Sequence, residues 1–443
     1  MNDALHPQKS FDDLPPPQFI EFGELVSISL GAVTNSLTHG LHRYPAKFIP
    51  QIPRWAIREY SSPGETVLDP FAGSGTTLVE AVAANRDGLG VDLDPLACMI
   101  SRAKTAQLDL DRLRTFTDKL VDCAREDHTR LSVPMSGVRN FEHWFTHDAW
   151  QQLQALRDGI ERLSCSPTER LCLLVLFSSI LRTVSNADDQ TQKTYVSGTL
   201  KKVPPPVAPS FSKRMERALS AYANLNAVRA NGEAKVVERS ATTLPFPAAH
   251  VDLIVTSPPY LDSVDYMYNL MLEYFWLGPE LGINTRQDFN DRRRNYVGAK
   301  SPAEDAQIPS VLADLIDVQA MPAYRRASVA PYFVSMARHF REASRVLKPG
   351  GRYVITIGNS RTQNGMLPLH DALIALAHEE GLHLEHAFGY RIRRHYMKFP
   401  RKGRGGIILM DWVITLRKSV GVAHQPKRLP FIDGQLAPDS VAH

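Results

Sequence analysis

Cysteine is scarce in this sequence: Cys98, Cys123, Cys165 and Cys172 are the four among 443 residues. No two stand at CxxC spacing, so neither a zinc cluster nor a disulfide framework is indicated, and reduced thiols without a metal are expected. Long apolar runs are lacking too. The longest, Leu171 to Leu181, contains Ser178 and Ser179 and is closed by Arg182, which is too short to cross a bilayer. Residues 1–17 are polar and proline-rich with no apolar core, unlike a secretory signal. These absences together predict a soluble, cytoplasmic chain with no membrane partner. Charge of one sign is also in short supply: 51 Lys and Arg against 47 Asp and Glu leave a net charge of +4. That excess permits a polyanionic partner without demanding one, because clustering matters more than the total.

Apolar residues are plentiful, and at 43% of the chain they can fill a sizeable core. Residues 1–20 read as a loose leader. From Thr66 the pattern is strand, glycine turn and helix, followed by a second short strand, Gly88 to Val91, ending on Asp92. This is a βαβ unit, the opening of a doubly wound α/β sheet. Residues 106–232 change character. Trp150, Leu153, Leu156, Ile160 and Leu163 recur at near-helical spacing, and 171–184 is apolar nearly all round, so a helical insertion is predicted. Strands resume at Ala234 to Glu238 and at Val251 to Thr256, and two more near 382–391 and 406–416 suit a terminal hairpin. The division expected is a cofactor half over 21–105, the insertion over 106–232, a catalytic half over 233–420 and a tail over 421–443.

Two loops carry chemistry. The first, Pro70-Phe71-Ala72-Gly73-Ser74-Gly75-Thr76, follows a strand and opens a helix. Gly73 and Gly75 let backbone approach a ligand closely, and the helix start offers unpaired N–H groups to an anionic or polar group. The sequence is neither a GxxxxGK[ST] phosphate loop nor a full GxGxxG fingerprint. Asp69 ends the strand, placed to accept from a cofactor amino group. Asp92, about twenty residues on, suits the two hydroxyls of a ribose, with Asp94 as the alternate. The second loop is Thr256-Ser257-Pro258-Pro259-Tyr260. Two prolines fix φ twice and remove two N–H donors, which makes a stiff turn. Such a turn can hold the Ser257 hydroxyl and the Pro258 carbonyl as paired acceptors, and Tyr260 supplies a face for stacking. Paired acceptors suit an exocyclic base amine. They draw its nitrogen toward tetrahedral geometry and free the lone pair to attack a methyl donor in line.

Together the two loops resemble those of the amino-methyltransferases acting on DNA. Asp69 to Thr76 is similar to that family's cofactor motif and Thr256 to Tyr260 to its catalytic motif. The Ser-Pro-Pro-Tyr form is typical of members that make N4-methylcytosine, while N6-adenine members more often begin with Asp or Asn. The resemblance implies a seven-stranded, Rossmann-like methyltransferase sheet, S-adenosyl-L-methionine as cofactor, and double-stranded DNA whose target base is flipped out. A restriction-modification or epigenetic setting, with a cognate restriction endonuclease as a partner, also follows from it. Ser257, Pro258, Pro259 and Tyr260 would be catalytic. Cofactor contacts would come from Asp69, Phe71, Ala72, Gly73, Gly75, Thr76 and Asp92. The segment His42 to Pro50 resembles the family's N-terminal cofactor contact, which implies Lys47 and Phe48. The family's acidic residue after the third strand is missing, so Ser240 or Glu238 takes that place. A cytosine-C5 mechanism is disfavoured, since it needs a cysteine nucleophile, commonly after proline, and no Pro-Cys pair occurs.

Basic residues gather in two places: Arg292, Arg293 and Arg294, and then Arg391, Arg393, Arg394, Lys398 and Arg401, interleaved with Tyr396 and Phe399. Both suit phosphate contacts. Base reading falls to the insertion, where the polar stretch Arg182 to Gln192 is a candidate edge, or to residues 280–328. The alternatives are an adenine-N6 enzyme, an RNA amino-methyltransferase, for which no common RNA-binding motif is visible, and an inactive nucleic-acid binder on the same scaffold. Both loops are intact, which argues against the last.

Overall fold

The computed structural model describes residues 9–11, 13–28, 37–45, 49–125, 135, 136, 138, 140–189, 191, 193–199, 201–261, 265–293, 307–318, 321, 323–358, 360–362, 365–391 and 410–420. The chain opens with β1 (Lys9–Phe11), β2 (Leu25–Ile28) and α1 (Gln51–Tyr60). It continues through β3 (Thr66–Asp69), α2 (Thr76–Ala83), β4 (Asp87–Asp92) and α3 (Pro95–Thr105). Five insertion helices follow: α4 (Leu110–Cys123), α5 (Phe141–Trp144), α6 (His147–Arg162), α7 (Pro167–Val184) and α8 (Val207–Val228). Next are β5 (Ala234–Glu238), β6 (Val251–Thr256), α9 (Tyr266–Asn269), α10 (Met271–Leu277), α11 (Arg286–Arg292) and α12 (Ala323–Val346). The chain closes with β7 (Leu347–Gly358), a small hairpin of β8 (Ser360–Thr362) and β9 (Gly365–Leu367), α13 (Leu369–Glu379), β10 (Leu382–Arg391) and β11 (Met410–Lys418).

Helix starts follow local chemistry. Asp94 caps α3 by accepting from the N–H groups of Leu96 and Ala97, with Pro95 at the first helical position. Ser166 and Glu169 form a capping box ahead of α7.

The main sheet has the order β1-β2-β10-β11-β7-β6-β3-β4-β5. β5, β4, β3, β6 and β7 run parallel, and β11 is antiparallel to both β7 and β10. Winding proceeds outward from β3 in one direction and from β6 in the other, so the reversal falls between those two strands. The crevice at their carboxyl ends is where ligands bind in doubly wound sheets. Alternation along the strands covers both faces. Val67, Leu253, Val255 and Val354 pack with Trp55 and Ile57 of α1, while Leu68, Ile254, Tyr353 and Ile355 pack with α12 and α13.

The seven expected strands are present, extended at the β10 edge by β1 and β2. Part of the segment read as a leader is therefore structural. Leu14 and Ile20 are buried, and the Pro15 carbonyl accepts from Trp55 Nε1 at 2.8 Å. Strands of three and four residues are too short for a period of two to register in the sequence.

The insertion is helical as expected, and its core is continuous with Leu96, Ile100 and Ala103 of α3. That core also takes in α10, which follows the proline turn. Trp276, fully buried, is edge-on to Phe141, Phe145 and Phe177 at 5.6–5.9 Å. Among the described residues no helix is long and apolar enough to cross a membrane, and no cluster of three or more His, Cys, Asp or Glu is placed to hold a metal.

Candidate active site

The glycine loop joins β3 to α2 at the sheet's point of reversal. Gly73 and Gly75 both have positive φ (+49° and +79°), which side-chain-bearing residues rarely adopt. A Cβ on Gly75 would also lie 2.7 Å from Ser101 Oγ. Ser101 Oγ donates to the Gly73 carbonyl at 2.8 Å, and the buried Lys104 Nζ donates to Ser74 Oγ at 3.0 Å. Tyr44 covers the loop from outside, its ring 3.4 Å from where a Gly73 Cβ would sit. The N-terminal segment is anchored there by His39, which meets Glu80 of α2 at 2.7 Å, and by Thr38, whose hydroxyl donates to the Lys104 carbonyl. Ala46, Lys47 and Phe48 lie outside the described residues, directly after this anchored stretch.

Asp69 differs from its expected role. Its carboxylate is 1% exposed and accepts from Thr256 Oγ1 at 2.6 Å, Thr77 Oγ1 at 2.7 Å and the Phe71 N–H at 3.1 Å. Burial lifts it to about 6, against those three hydrogen bonds. It faces into the sheet and ties the glycine loop to the residue preceding Ser257, instead of facing a ligand. Ala72 and Thr76 are buried beside it and Phe71 is half-buried. The Phe71 ring lies edge-on to His339 at 4.8 Å. His339 sits between the Ala241 carbonyl and the Tyr353 hydroxyl, and burial holds it neutral by lowering it to about 4.

Asp92 is half-buried at the end of β4. It accepts from the Gly73 N–H at 2.8 Å and from the Asp94 N–H at 2.8 Å. Burial, then the neighbouring Asp94 charge, raises its carboxyl to about 7. Asp94 is excluded as the alternate: it is fully buried, caps α3 and accepts from the hydroxyls of Tyr44 and Tyr274. Ser240 is half-buried, with its hydroxyl at 2.8 Å from Thr242 Oγ1 within its own turn. Glu238, beside Asp92 in the sheet register, is ion-paired to Arg292.

The second loop leaves β6 directly. Thr256 is buried, Pro258 is buried, and Ser257, Pro259 and Tyr260 are half-buried. Burial, with the Asp411 charge nearby, pushes the Tyr260 hydroxyl well above its ordinary value. Asp411, at the start of β11, accepts from the Tyr390 hydroxyl at 3.1 Å. Neither Asp411 nor Tyr390 is marked by the sequence as part of the site. The available signal is a lone acid opening an apolar strand, Asp411-Trp-Val-Ile.

The basic clusters fare unevenly. Arg292 and Arg293 are not open cations: the first pairs with Glu238 and the second with Asp265, with its guanidinium 5.5 Å over the Tyr268 ring. Those carboxylates lie far off in sequence or on another element, so spacing alone gives no sign of them. Arg391 is exposed at the end of β10. Arg294, Arg393, Arg394, Lys398 and Arg401 fall outside the described residues. The segment bearing the last four joins β10 to β11, and Tyr390 and Asp411 stand paired at its base. The polar stretch after α7 folds around Arg182, whose guanidinium donates to the carbonyls of Asp188, Thr191 and Lys193 at 2.6–3.0 Å. Thr194 Oγ1 then donates to the Asn269 carbonyl, and Arg43 donates to the Thr191 carbonyl. The insertion thus meets the rim of the site.

These features have counterparts in known proteins. A family model described as DNA methylase matches residues 26–103. The Type II methyltransferase M.MvaI of Kocuria varians is 26% identical over 404 residues, covering 84% of this chain and 86% of that protein. M.BsoBI of Geobacillus stearothermophilus, also a Type II methyltransferase, is 19% identical over 464 residues, or 90% and 88% of the two chains. A third, M.MjaII of Methanocaldococcus jannaschii, is 33% identical over 88 residues, 20% of this chain and 17% of that one. The fold and its two loops define an S-adenosylmethionine-dependent methyltransferase. The chain is thus similar to the DNA methylase family over residues 26–103 and to Type II methyltransferases over most of its length.

Proposed function

We propose that this chain methylates the N4 amine of cytosine in double-stranded DNA and protects sites cut by a cognate restriction endonuclease. One observation carries the reading: Ser257-Pro258-Pro259-Tyr260 leaves the strand adjacent to the one bearing the glycine loop, and Asp69 bonds both. A donor methyl held by the first loop and an amine held by the second then meet across one inter-strand spacing. The target base is flipped out of the duplex, stacks on Tyr260 and gives its amine hydrogens to Ser257 and the Pro258 carbonyl. S-adenosylmethionine, held by the glycine loop and Asp92, would supply an electrophilic methyl group for the amine that Ser257 and the Pro258 carbonyl orient, and the amine would give up one proton to solvent as its new bond forms. Gly73 and Gly75 admit the methionine end of the cofactor, Asp92 takes the ribose, and the exposed Arg391 with the basic segment after it contacts phosphates. Ser257 at the first place favours cytosine over adenine.

Mass spectrometry of nucleosides from DNA and RNA incubated with protein and labelled cofactor tests this directly. N4-methylcytidine in its deoxy form is expected. Labelled N6-methyladenine, or label confined to RNA, would overturn the substrate assignment.

Asp92 makes a second expectation. A ribose hydroxyl donates best to an ionised carboxylate, while burial and the neighbouring Asp94 hold this one near 7. Cofactor binding should therefore strengthen as pH rises through about 7 and release a proton below it. Asp92→Ala should weaken binding by roughly 10- to 100-fold and flatten the pH dependence. Calorimetry in buffers of differing ionisation enthalpy reads both, and unchanged affinity in the variant would remove Asp92 from the site.

A further inference from the structure

The loop that follows α7 touches both halves of the site. Arg182, in the last turn of α7, is 7% exposed, and its guanidinium gathers the carbonyls of Asp188, Thr191 and Lys193 at 2.6–3.0 Å. The Asp188 N–H donates to the Tyr195 carbonyl at 2.9 Å and ties the two ends of the loop together. Burial, then the Arg43 charge, lowers Arg182 to about 10, so it stays charged at neutral pH and only donates. One rigid fork thus fixes three carbonyls at once, which a single ammonium group cannot do.

Two links run outward from that loop. The Thr191 carbonyl accepts from Arg43 at 2.6 Å as well as from Arg182 at 2.7 Å. Thr194, 1% exposed, donates its hydroxyl to the Asn269 carbonyl at 2.7 Å. Arg43 directly precedes Tyr44, the ring that covers Gly73, and Asn269 ends α9, which begins with Tyr266. Tyr44 and Tyr266 meet in turn, with ring centroids 5.9 Å apart and planes inclined by 25°. The contacts therefore close a circuit, from the loop to Arg43, from Tyr44 to Tyr266, and from α9 back to Thr194. His42 Nε2, 3.1 Å from Ser178 Oγ one turn before Arg182, fastens the same N-terminal segment to α7.

We propose that Arg182 is a positioning residue for the cofactor site: the loop it folds holds Tyr44 over Gly73 and seats α9 against Tyr44. The proposal rests on the glycine loop being where S-adenosylmethionine binds, and not on which base is methylated. It gives the helical insertion a task at the methyl-donor end of the site. Arg43 and Thr194 act in series, so cutting the circuit at either place frees Tyr44 to the same extent. Cofactor bound under Tyr44 should in turn quiet the loop, because coupling between two sites is reciprocal.

The experiment is calorimetry of S-adenosylmethionine with the full chain and its variants, together with hydrogen exchange. Thr194→Val removes the hydroxyl and keeps the shape, and Arg43→Gln shortens the reach to Thr191. Each should raise the cofactor Kd by about fivefold, the worth of one hydrogen bond. The double variant should bind no more weakly than the weaker single variant, because one circuit is broken. Thr194→Ser, which keeps the hydroxyl, should bind like wild type. Arg182→Lys should bind at least as weakly as either. In the wild-type protein, cofactor should slow exchange at the Thr191 and Thr194 amides, the first of which donates to Asp188 Oδ1 at 3.1 Å. Arg43→Gln should abolish that protection, whereas a loop with a purely structural role would show no response to cofactor at all. Wild-type affinity in Thr194→Val would overturn the proposal even beside a weakened Arg43→Gln, since Arg43 would then act on the cofactor directly. If Thr194→Val does not fold, the absence of cofactor-dependent protection at those two amides in the wild-type protein overturns it equally. Asp92→Ala, run alongside, separates the two levels: unchanged affinity there would mean that the cofactor site itself was misassigned. A weakened Asp92→Ala beside a normal Thr194→Val would reject only the positioning role.

Discussion

Ser257→Ala is expected to lower methyl transfer on the order of 10²- to 10³-fold, the usual cost of deleting one preorganised polar partner of the transition state. Cofactor affinity should barely change, because the glycine loop and Asp92 stand on the neighbouring strands β3 and β4. DNA binding measured by gel shift should also persist, since phosphate contacts supply most of it. The loss must appear in kcat and equally in kcat/KM, the pattern of an interaction made in the transition state. Single-turnover kinetics with labelled cofactor would show it. Wild-type turnover in this variant would remove the proline turn from the chemistry.

Glu80→Ala should produce the largest loss of stability of any single change near the cofactor loop. Glu80 is 3% exposed and holds two partners at once: His39 at 2.7 Å and the Arg54 guanidinium at 2.8 and 2.9 Å. Burial pushes its carboxyl up, but His39 and Arg54 outweigh that and hold it below the ordinary range. Removing one partner of a buried ion pair costs about 3–5 kcal/mol, because the remaining charge is left without compensation. Urea unfolding should show a midpoint shift of that size. The sign with pH follows from the lowered value. The stabilisation is complete above the ordinary carboxylate range and fades as pH falls through the depressed one. Glu80→Ala should therefore flatten the acid side of the stability curve. A shift below about 1 kcal/mol would mean that the cluster contributes little. The variant should also loosen residues 37–45 from α2, and with them the Tyr44 cover over Gly73.

The sequence displays some of these relations and hides others, for definite reasons. The glycine loop and the proline turn are legible because each is contiguous and each needs rare residues at fixed places. The helical insertion is legible from its period, although not its union with α10, since apolar periodicity names a buried face and not the partner that buries it. Asp69 shows the limit most clearly. Its place at a strand end marks it as part of the site, but which way the carboxylate turns depends on Thr77 and Thr256, and Thr256 comes from another strand. Asp94 misleads for the same reason: its oxygens are taken by the helix it caps and by Tyr44 and Tyr274. Arg292 and Arg293 read as a phosphate patch in the sequence, and only the fold sets Glu238 and Asp265 against them. Asp411 and Tyr390 are remote from both motifs, and only the pairing of β10 with β11 brings them together.

The Asp69 carboxylate has an evolutionary consequence. It fastens donor loop and acceptor loop to two adjacent strands in the middle of the sheet, which lie about 4.8 Å apart in any protein. On the proposed function, the separation of the two loops is thereby set by main-chain hydrogen bonding between strands. Sequence recognition would, on the same proposal, fall to parts outside these two loops, the helical insertion or residues 280–328. A lineage can thus exchange one recognition sequence for another by rebuilding those outer parts, and the methylating centre need not be invented again.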